Sequence, residues 1–233
     1  TTGSPDRWKR TSGRPLGTTA PAPPTTATSR PSPTRSSPPC AATTGLAHGI
    51  AGPLGFLSLA QLAGQTVPRQ HDAITTAAHW LLTWAEPAHT WPPHISGTHL
   101  DTGPGPHTSN TPGRRTAWCY GTPGIATALT HAAHALNDRH ILNTATAALH
   151  HIATHPDQWD TKGPTLCHGT AGILQAANHH NPQLAHHVAI PQPHSAAPGL
   201  LNGTAGTALA LADHGGLLAH PRTTTWDAVL LLS

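Results

Sequence analysis

The stretch AWCYGTPG at residues 117–124 has a counterpart in LCHGTAG at residues 166–172. In each stretch a cysteine stands shortly before a Gly-x-x-Gly turn, and an apolar run at helical spacing follows the turn. The two stretches contain three strong ligands for soft metal ions, namely Cys119, Cys167 and His168. This arrangement predicts that two helix starts converge and hold one zinc ion.

The Gly-x-x-Gly turn occurs four times, with its first glycine at positions 49, 121, 169 and 203. Each turn opens an apolar run that predicts a buried helix, and second helices are expected at about 71–86 and 139–154. The unequal spacing of the turns excludes a strict solenoid and fits helical hairpins with loops of variable length. Residues 87–113 are expected to form a long irregular connection. The glycines would allow positive φ and close backbone approach where helix N-termini crowd one centre.

The first 40 residues differ from the rest in composition and charge. They contain 9 of the 25 prolines and 15 Ser/Thr, and their formal net charge is +5, whereas that of the remainder is −2. Such a segment cannot bury enough apolar surface to offset its ordering entropy. Residues 1–43 are therefore predicted to be a disordered tail, and residues 44–233 a helical domain. Because the basic excess lies in the tail, no nucleic-acid-binding face is expected on the domain.

Cysteine content and hydropathy bear on the compartment. Three cysteines are too few for a disulfide framework in a chain of 233 residues, which suits a reducing compartment. The sequence has no apolar run of about 18 residues that would span a membrane. The N-terminus has no apolar core of a signal peptide. These features predict a cytoplasmic protein.

Two isolated cysteines in helical cores are more often small hydrophobic residues than metal ligands. Repetition favours the metal interpretation, because His48 and Asn202 fill the corresponding slot at the other two turns. Three protein ligands with an open fourth position are typical of a catalytic zinc site rather than a structural one. A second metal site among the other histidines is the weaker alternative, since pairs at helical spacing are more often solvated outer-helix residues; these pairs are His131/His134, His151/His155, His179/His180 and His186/His187.

Four motifs resemble the lanthionine synthetase C-like family, the lantibiotic cyclases. They are WCYGxPG at 118–124, CHG at 167–169, HGxxG at 48–52 and GLLNGxAG at 199–206, and the likeness runs from about residue 45 to residue 232. The resemblance implies an all-α fold, an α/α toroid of helical hairpins with zinc at its mouth. It also implies that Cys119, Cys167 and His168 bind the zinc ion.

The family reaction adds a peptide cysteine thiol across dehydroalanine or dehydrobutyrine and gives a thioether ring. The resemblance implies Zn²⁺ as cofactor, a dehydrated precursor peptide as substrate and, as a further candidate partner, a lantibiotic dehydratase. A thiol becomes a good nucleophile when zinc lowers its pKa, and the addition creates an enolate that needs a proton. His48 matches the family's catalytic histidine and suits that proton transfer. Arg115 matches an active-site arginine that stabilises negative charge, although a solvated loop residue is the equal alternative.

Two departures from the family pattern keep the interpretation open. The family toroid closes with seven hairpins, whereas roughly four are counted here. The family's acidic residue of an earlier repeat has no match, since Asp6 is the only acidic residue before His48. The chain is therefore expected to be the C-terminal part of a cyclase. Three interpretations follow: an active zinc-dependent cyclase, a remnant that binds zinc and peptide without catalysis, or a helical-repeat interaction module with buried cysteines and no metal.

Overall fold

The computed structural model describes residues 41–105, 115–188, 197–218 and 225–233. Residues 1–40, which make up most of the expected tail, lie outside the described residues. Eight α-helices are described: α1 (Ala51–Leu62), α2 (Gln70–Thr83), α3 (Gly97–Thr102), α4 (Thr122–Leu136), α5 (Arg139–Thr154), α6 (Thr170–His180), α7 (Pro182–Ala185) and α8 (Thr204–His214). Short 3-10 turns follow at Pro156–Gln158 and Ala228–Leu230. The predicted all-α class is confirmed.

A small antiparallel sheet accompanies the helices. Strand β1 (Ala41–Thr43) pairs with strand β2 (His94–Ser96), with Ala42 opposite Ile95. Strand β1 thus covers the last three residues of the segment 1–43 that the sequence assigned to the tail. Residues 87–113 were expected to form an irregular connection, and their described part contains strand β2 and helix α3. Residues 106–114 lie outside the described residues. The pairing of residues 53 positions apart leaves no local sequence signal, which explains both differences.

The helices form hairpins, and in the described chain those after the second are shorter than the first two. The first hairpin joins α1 to α2, and the second joins α4 to α5, where Asn137 adopts a left-handed conformation and Asp138 caps the next helix. The third pairs α6 with the four-residue α7. Helix α8 is followed by only a 3-10 turn in the apolar segment at 226–232. The second helix also ends at Thr83, three residues before the expected end, because the chain turns at Trp84.

Helix α4 lies at the centre of the described core. It packs against α1, α2, α5 and α6. Ten of its fifteen residues are buried, from Thr122 through Ala133, and most of them are small. A helix that is apolar on all sides belongs inside a domain, and alanine and glycine allow its neighbours to approach closely. The loop that carries Cys119 therefore leads directly into the most buried helix of the described core.

The four Gly-x-x-Gly turns share one backbone arrangement. At the second glycine of each turn, a side-chain carbon would lie within 3.0 Å of the carbonyl oxygen six residues earlier; these glycines are Gly52, Gly124, Gly172 and Gly206. The first glycine of each turn meets the carbonyl six residues before it in the same way. None of the eight has positive φ. Close approach alone therefore explains the glycines, and the expectation that they also need positive φ is wrong.

Within the described residues, no helix has both the length and the hydropathy needed to cross a bilayer.

Candidate metal centre

Three helices begin in the same backbone conformation. Two of them follow the loops that carry the candidate ligands, and the third follows the matching loop at Asn202. The N-cap residues of α4, α6 and α8 are Gly121, Gly169 and Gly203, with φ between −116° and −136° and ψ between −169° and −173°. None of these caps uses a side chain. At these three turns the chain therefore enters the helix from the same direction, and the two residues before each first glycine occupy matching places.

Hydrogen bonds join neighbouring turns at the residue two positions before the first glycine. The backbone N–H of Ala47 donates to the carbonyl oxygen of Cys119 at 2.9 Å. The thiol of Cys119 donates to the carbonyl oxygen of Cys167, with sulfur and oxygen 3.7 Å apart. The backbone N–H of Cys167 donates in turn to the carbonyl oxygen of Leu201 at 2.8 Å. The four turns thus stand side by side, and the two cysteines occupy the middle pair.

The structure brings together all three predicted metal ligands. The sulfur atoms of Cys119 and Cys167 and a ring nitrogen of His168 all lie within 4.8 Å of one another. The two cysteines are free thiols, and their residues are only 2% and 7% exposed. Two thiols and one imidazole at this separation are the donor set that zinc prefers, and three protein ligands leave one position for another group. The residues present therefore fit a zinc ion.

The two thiols influence each other's ionisation in the metal-free protein. Their mutual hydrogen bond, with burial second, raises the pKa of Cys119 far above its ordinary value. The same hydrogen bond lowers the pKa of Cys167. The two thiols therefore titrate as a coupled pair, in which Cys119 keeps its proton to higher pH than Cys167 does. Both ligands must be deprotonated for coordination, so binding of a metal ion would release this proton.

A row of polar side chains occupies the slot directly before each first glycine. Its members are His48, Tyr120, His168 and Asn202. The rings of His48 and Tyr120 lie 5.2 Å apart. At the other end, the Nδ1 atom of His168 lies 3.4 Å from Oδ1 of Asn202, while Nε2 lies 3.9 Å from the Cys167 sulfur. Asn202 can thus accept from Nδ1–H and leave Nε2 free to coordinate.

Of the predicted catalytic residues, His48 lies close to the cysteine cluster without joining it. His48 is exposed, and the preceding residue, Ala47, donates a backbone hydrogen bond to the carbonyl oxygen of Cys119. The ring of His94, in β2, also approaches Tyr120, with ring centroids 6.1 Å apart. Sequence reasoning did not assign a role to Tyr120 or His94. Tyr120 could have been found from its slot, whereas His94 has no local signal.

Arg115 lies four residues before Cys119 and faces a carboxylate. Its Nε and Nη2 atoms donate to the two oxygens of Glu86 at 2.9 and 3.1 Å, and this pair is largely buried. Thr90 also donates to Glu86, at 2.8 Å. A bidentate pair of this kind fixes the guanidinium in position. Arg115 is therefore not a solvated loop residue.

Asp160 holds the same loop from the other side. Its carboxylate accepts from the backbone N–H groups of Arg115 and Thr116, at 3.0 and 3.1 Å, and from the Thr116 hydroxyl. The backbone N–H of Asp160 donates back to that hydroxyl at 3.0 Å. Glu86 and Asp160 thus brace the segment that carries Cys119. Sequence reasoning missed both, because each is a lone acidic residue in a loop far along the chain.

Comparisons with known proteins agree with this architecture. Among solved structures, nisin cyclase matches with a TM-score of 0.67 and 20% sequence identity, over 82% of this chain and 50% of that chain. This chain therefore spans about half the length of nisin cyclase, and at this identity the likeness shows the fold. A comparison with curated proteins gave no match. The family model of the lanthionine synthetase C-like protein matches residues 26–187, which is well over half of the sequence. The chain belongs to the lanthionine synthetase C-like family.

Proposed function

We propose that this chain is a zinc-dependent lanthionine cyclase that acts on a dehydrated precursor peptide. The observation that carries the proposal is the convergence of Cys119, Cys167 and His168 within 4.8 Å. Family membership supports a cyclase-type role. Zinc as cofactor, a cytoplasmic location, and a lantibiotic dehydratase as partner are further predictions of the same hypothesis.

Proteins use zinc sites with thiol ligands either to stabilise structure or for catalysis. In a catalytic site the zinc ion acts as a Lewis acid and lowers the pKa of a substrate thiol that coordinates to it. This chain's residues supply the remaining features of such a site. Asn202 orients the His168 ring, and the glycine turns fix the two cysteine backbones. The buried sulfurs lie beside a row of exposed and half-buried side chains, so a peptide could approach from the side of His48 and Tyr120.

The proposed reaction is an addition in which every atom of both groups is kept. The thiol gives up its proton to the solvent, its sulfur bonds to the β-carbon of the dehydro residue, and the carbon–carbon double bond becomes single. A proton is then needed at the α-carbon. We propose that His48 delivers it, because its exposed ring lies next to Tyr120, one residue after Cys119. The exposed imidazole can then take up a new proton from the solvent between turnovers.

We propose a catalytic contribution for Arg115, either by direct contact with developing negative charge or by positioning of the Cys119 loop through Glu86. The bidentate pair supports positioning. The variants Arg115→Gln and Glu86→Gln separate the two roles. If Arg115 only positions the loop, both variants should lower zinc affinity and kcat to a similar extent. If Arg115 contacts substrate, Arg115→Gln should lower kcat further, with zinc affinity equal in the two variants.

The test of the function uses the full chain, loaded with zinc, and a dehydrated peptide that contains one cysteine. Cyclisation leaves the peptide mass unchanged and consumes its thiol, so alkylation before mass spectrometry separates substrate from product. We expect turnover and one zinc equivalent at the cysteine cluster in the natural chain, and loss of turnover and of that equivalent in Cys119→Ala and Cys167→Ala. His48→Asn should keep zinc and lose about 10²–10⁴-fold in rate. Zinc-loaded protein that never consumes the thiol would refute the cyclase proposal.

A second candidate function is binding of zinc and peptide without turnover. The observation that favours it is an apolar cavity of about 740 Å³ beside the first hairpin, lined by Ile50, Leu57 and Trp80 among others. Phe56 on α1 is also 63% exposed. Exposed apolar surface of this kind marks an interaction site. This candidate predicts zinc and measurable peptide affinity in the natural chain, with no thiol consumption.

A further inference from the structure

The short segment 160–163 makes hydrogen bonds to both loops that carry the cysteine ligands. The side chain of Asp160 accepts from two backbone N–H groups in the loop before Cys119. Two residues later, the backbone N–H of Lys162 donates to the carbonyl oxygen of His168 at 2.7 Å. One segment therefore contacts the first ligand loop with a side chain and the second ligand loop with its backbone.

The loops before the four Gly-x-x-Gly turns are all closed by the same hydrogen bond. At each turn, the backbone N–H of the residue after the first glycine donates to the carbonyl oxygen seven residues earlier. These bonds are 2.7 to 3.1 Å long and join Ile50 to Thr43, Thr122 to Arg115, Thr170 to Gly163 and Thr204 to Ala197. Residues 43, 115, 163 and 197 are therefore equivalent, and each is the first residue of a closed loop. A displacement of this first residue would displace the rest of its loop.

Asp160 binds the second of these loops at its first residue. Its carboxylate accepts from the backbone N–H groups of Arg115 and Thr116, and the carbonyl oxygen of Arg115 accepts from Thr122. Both peptide groups of Arg115 are thus held. Thr116 is only 4% exposed, and its hydroxyl accepts from the backbone N–H of Asp160 at 3.0 Å. Hydrogen bonds from N–H groups to a carboxylate are stronger than those between neutral groups. The start of the Cys119 loop is therefore fixed relative to Asp160.

The third loop begins almost directly after Asp160. Gly163 is the first residue of the loop that contains Cys167, and its carbonyl oxygen accepts from Thr170 at 3.1 Å. Its φ of 67° is a conformation that glycine adopts without steric cost. Only two residues separate Asp160 from Gly163. The anchor of the Cys119 loop and the start of the Cys167 loop therefore cannot move far apart.

We propose that Asp160 is a positioning residue of the candidate zinc site, which sets the separation of the Cys119 and Cys167 sulfurs through the backbones of their loops. This inference rests on the proposed cyclase function, in which both sulfurs bind one ion. Zinc holds sulfur ligands at about 2.3 Å in a tetrahedron, so a site with displaced loops binds it less well. The hydrogen bonds of Asp160 involve no ligand atom, and they can therefore persist when a metal ion is bound.

The first test measures the zinc affinity of the full chain. Asp160→Ala removes the acceptor oxygens, and Asp157→Ala is the matched control, because this exposed aspartate lies three residues earlier in the same connection. Competition with a chromophoric chelator gives the affinity, and circular dichroism checks that each variant is folded at the temperature used. We expect the affinity to be about tenfold lower in Asp160→Ala and unchanged in Asp157→Ala. Equal affinity in the two variants would overturn the proposal.

A second measurement separates positioning from general support of the fold. Co²⁺ bound in place of zinc gives thiolate charge-transfer and d–d absorption bands that report the ligand geometry. Asp160→Ala should change these bands per bound ion, whereas Asp157→Ala should not. Asp160→Asn keeps one acceptor oxygen and should restore part of the zinc affinity. A lower melting temperature with natural bands and natural affinity would show a merely structural role and refute the proposal.

A probe other than a zinc ion keeps this test apart from the test of the cyclase. Phenylarsine oxide forms two arsenic–sulfur bonds with a pair of close thiols and releases water. The metal-free chains carry Cys40→Ala, so that Cys119 and Cys167 are the remaining thiols. We expect weaker binding of the arsenical in Asp160→Ala than in Asp157→Ala. Weaker binding supports the proposal even in a chain without cyclase activity, and equal binding refutes it even in a chain that turns over peptide.

Discussion

The cysteine cluster (Cys119, Cys167 and His168) and the aspartate cluster (Asp213 and Asp227 around Gln175) are held in different ways. Cys119 and Cys167 lie in loops before helix N-termini, and backbone hydrogen bonds and glycine contacts fix them. Asp213 lies in α8 and Asp227 in the C-terminal segment, and side-chain hydrogen bonds to Gln175 of α6 bring them together. The first cluster thus depends on how closely backbones approach, whereas the second depends on charge and side-chain partners. A change in one kind of support should therefore affect one cluster and leave the other.

The largest expected effect comes from Gly172→Ala. The added methyl group would press on the carbonyl oxygen of Leu166 and lie 3.1 Å from the Trp118 side chain, so both cysteine loops must shift. We expect a loss of about 3 kcal/mol or more in the free energy of unfolding and loss of zinc from the cysteine cluster. Chemical denaturation and metal analysis would measure both.

Gly199→Ala is the matched control, because a methyl group there would meet nothing within 4 Å. It should leave stability and zinc content unchanged within error. If Gly172→Ala and Gly199→Ala behave alike, backbone approach does not support the cysteine cluster, and the contrast between the two clusters fails.

A smaller effect is expected from Asn202→Ala. This change removes the acceptor next to His168 Nδ1 and leaves the ring free to rotate. Loss of such an outer partner typically lowers metal affinity by about 10–100-fold. Competition with a chromophoric chelator would measure the zinc affinity. Asn202→Asp keeps an acceptor oxygen and should restore binding, whereas the exposed Asn143→Ala should change nothing.

The smallest effect is a pH dependence of stability that arises from His131. This residue lines a cavity of about 190 Å³ next to His179. Burial, followed by the neighbouring charges of His134 and His179, lowers the pKa of His131 from 6.5 to about 4. As pH falls below 6.5 the unfolded chain takes up the proton first, so this residue costs stability progressively down to about pH 4. The cost should reach about 1 kcal/mol at pH 5.5.

The measurement compares urea unfolding of the metal-free natural chain with that of His131→Gln. The amide can still donate to the Leu231 carbonyl, which lies 3.2 Å from the His131 ring nitrogen, but it does not titrate. The difference in unfolding free energy between the two chains should shift by the expected amount between pH 7.5 and 5.5. A difference that is constant with pH would show that His131 is not held neutral by the fold.

The sequence allowed the cysteine cluster and the helix starts to be predicted because their signal is local. A cysteine and a Gly-x-x-Gly turn stand within a few residues of each other, and the layout repeats at Gly121 and Gly169. The placement of Asn202 in the same slot was also visible. Helix α5 was placed at its full length, since its apolar spacing and the Asp138 cap agree.

The remaining features depend on contacts that no local pattern contains. Strand β1 forms by pairing with strand β2, which lies far along the chain. Glu86 reaches Arg115 across 29 residues, and Gln175 reaches Asp227 across 52. The histidine pairs drew attention to His179, but its partners are the Asp227 carboxylate and the Gln175 amide rather than other histidines. Single acidic residues in so lightly charged a chain have no periodicity that would reveal their role.

The hydrogen bonds from Ala47 to Cys119, from Cys119 to Cys167 and from Cys167 to Leu201 have a consequence for the versatility of this scaffold. Each turn offers a position in the same register, which is buried at Cys119 and Cys167 and exposed at Ala47 and Leu201. A cysteine at Ala47 or Leu201 would therefore add a thiol at the rim of the proposed zinc site. Exchange of a single side chain would then change the set of donor atoms without a change of the backbone.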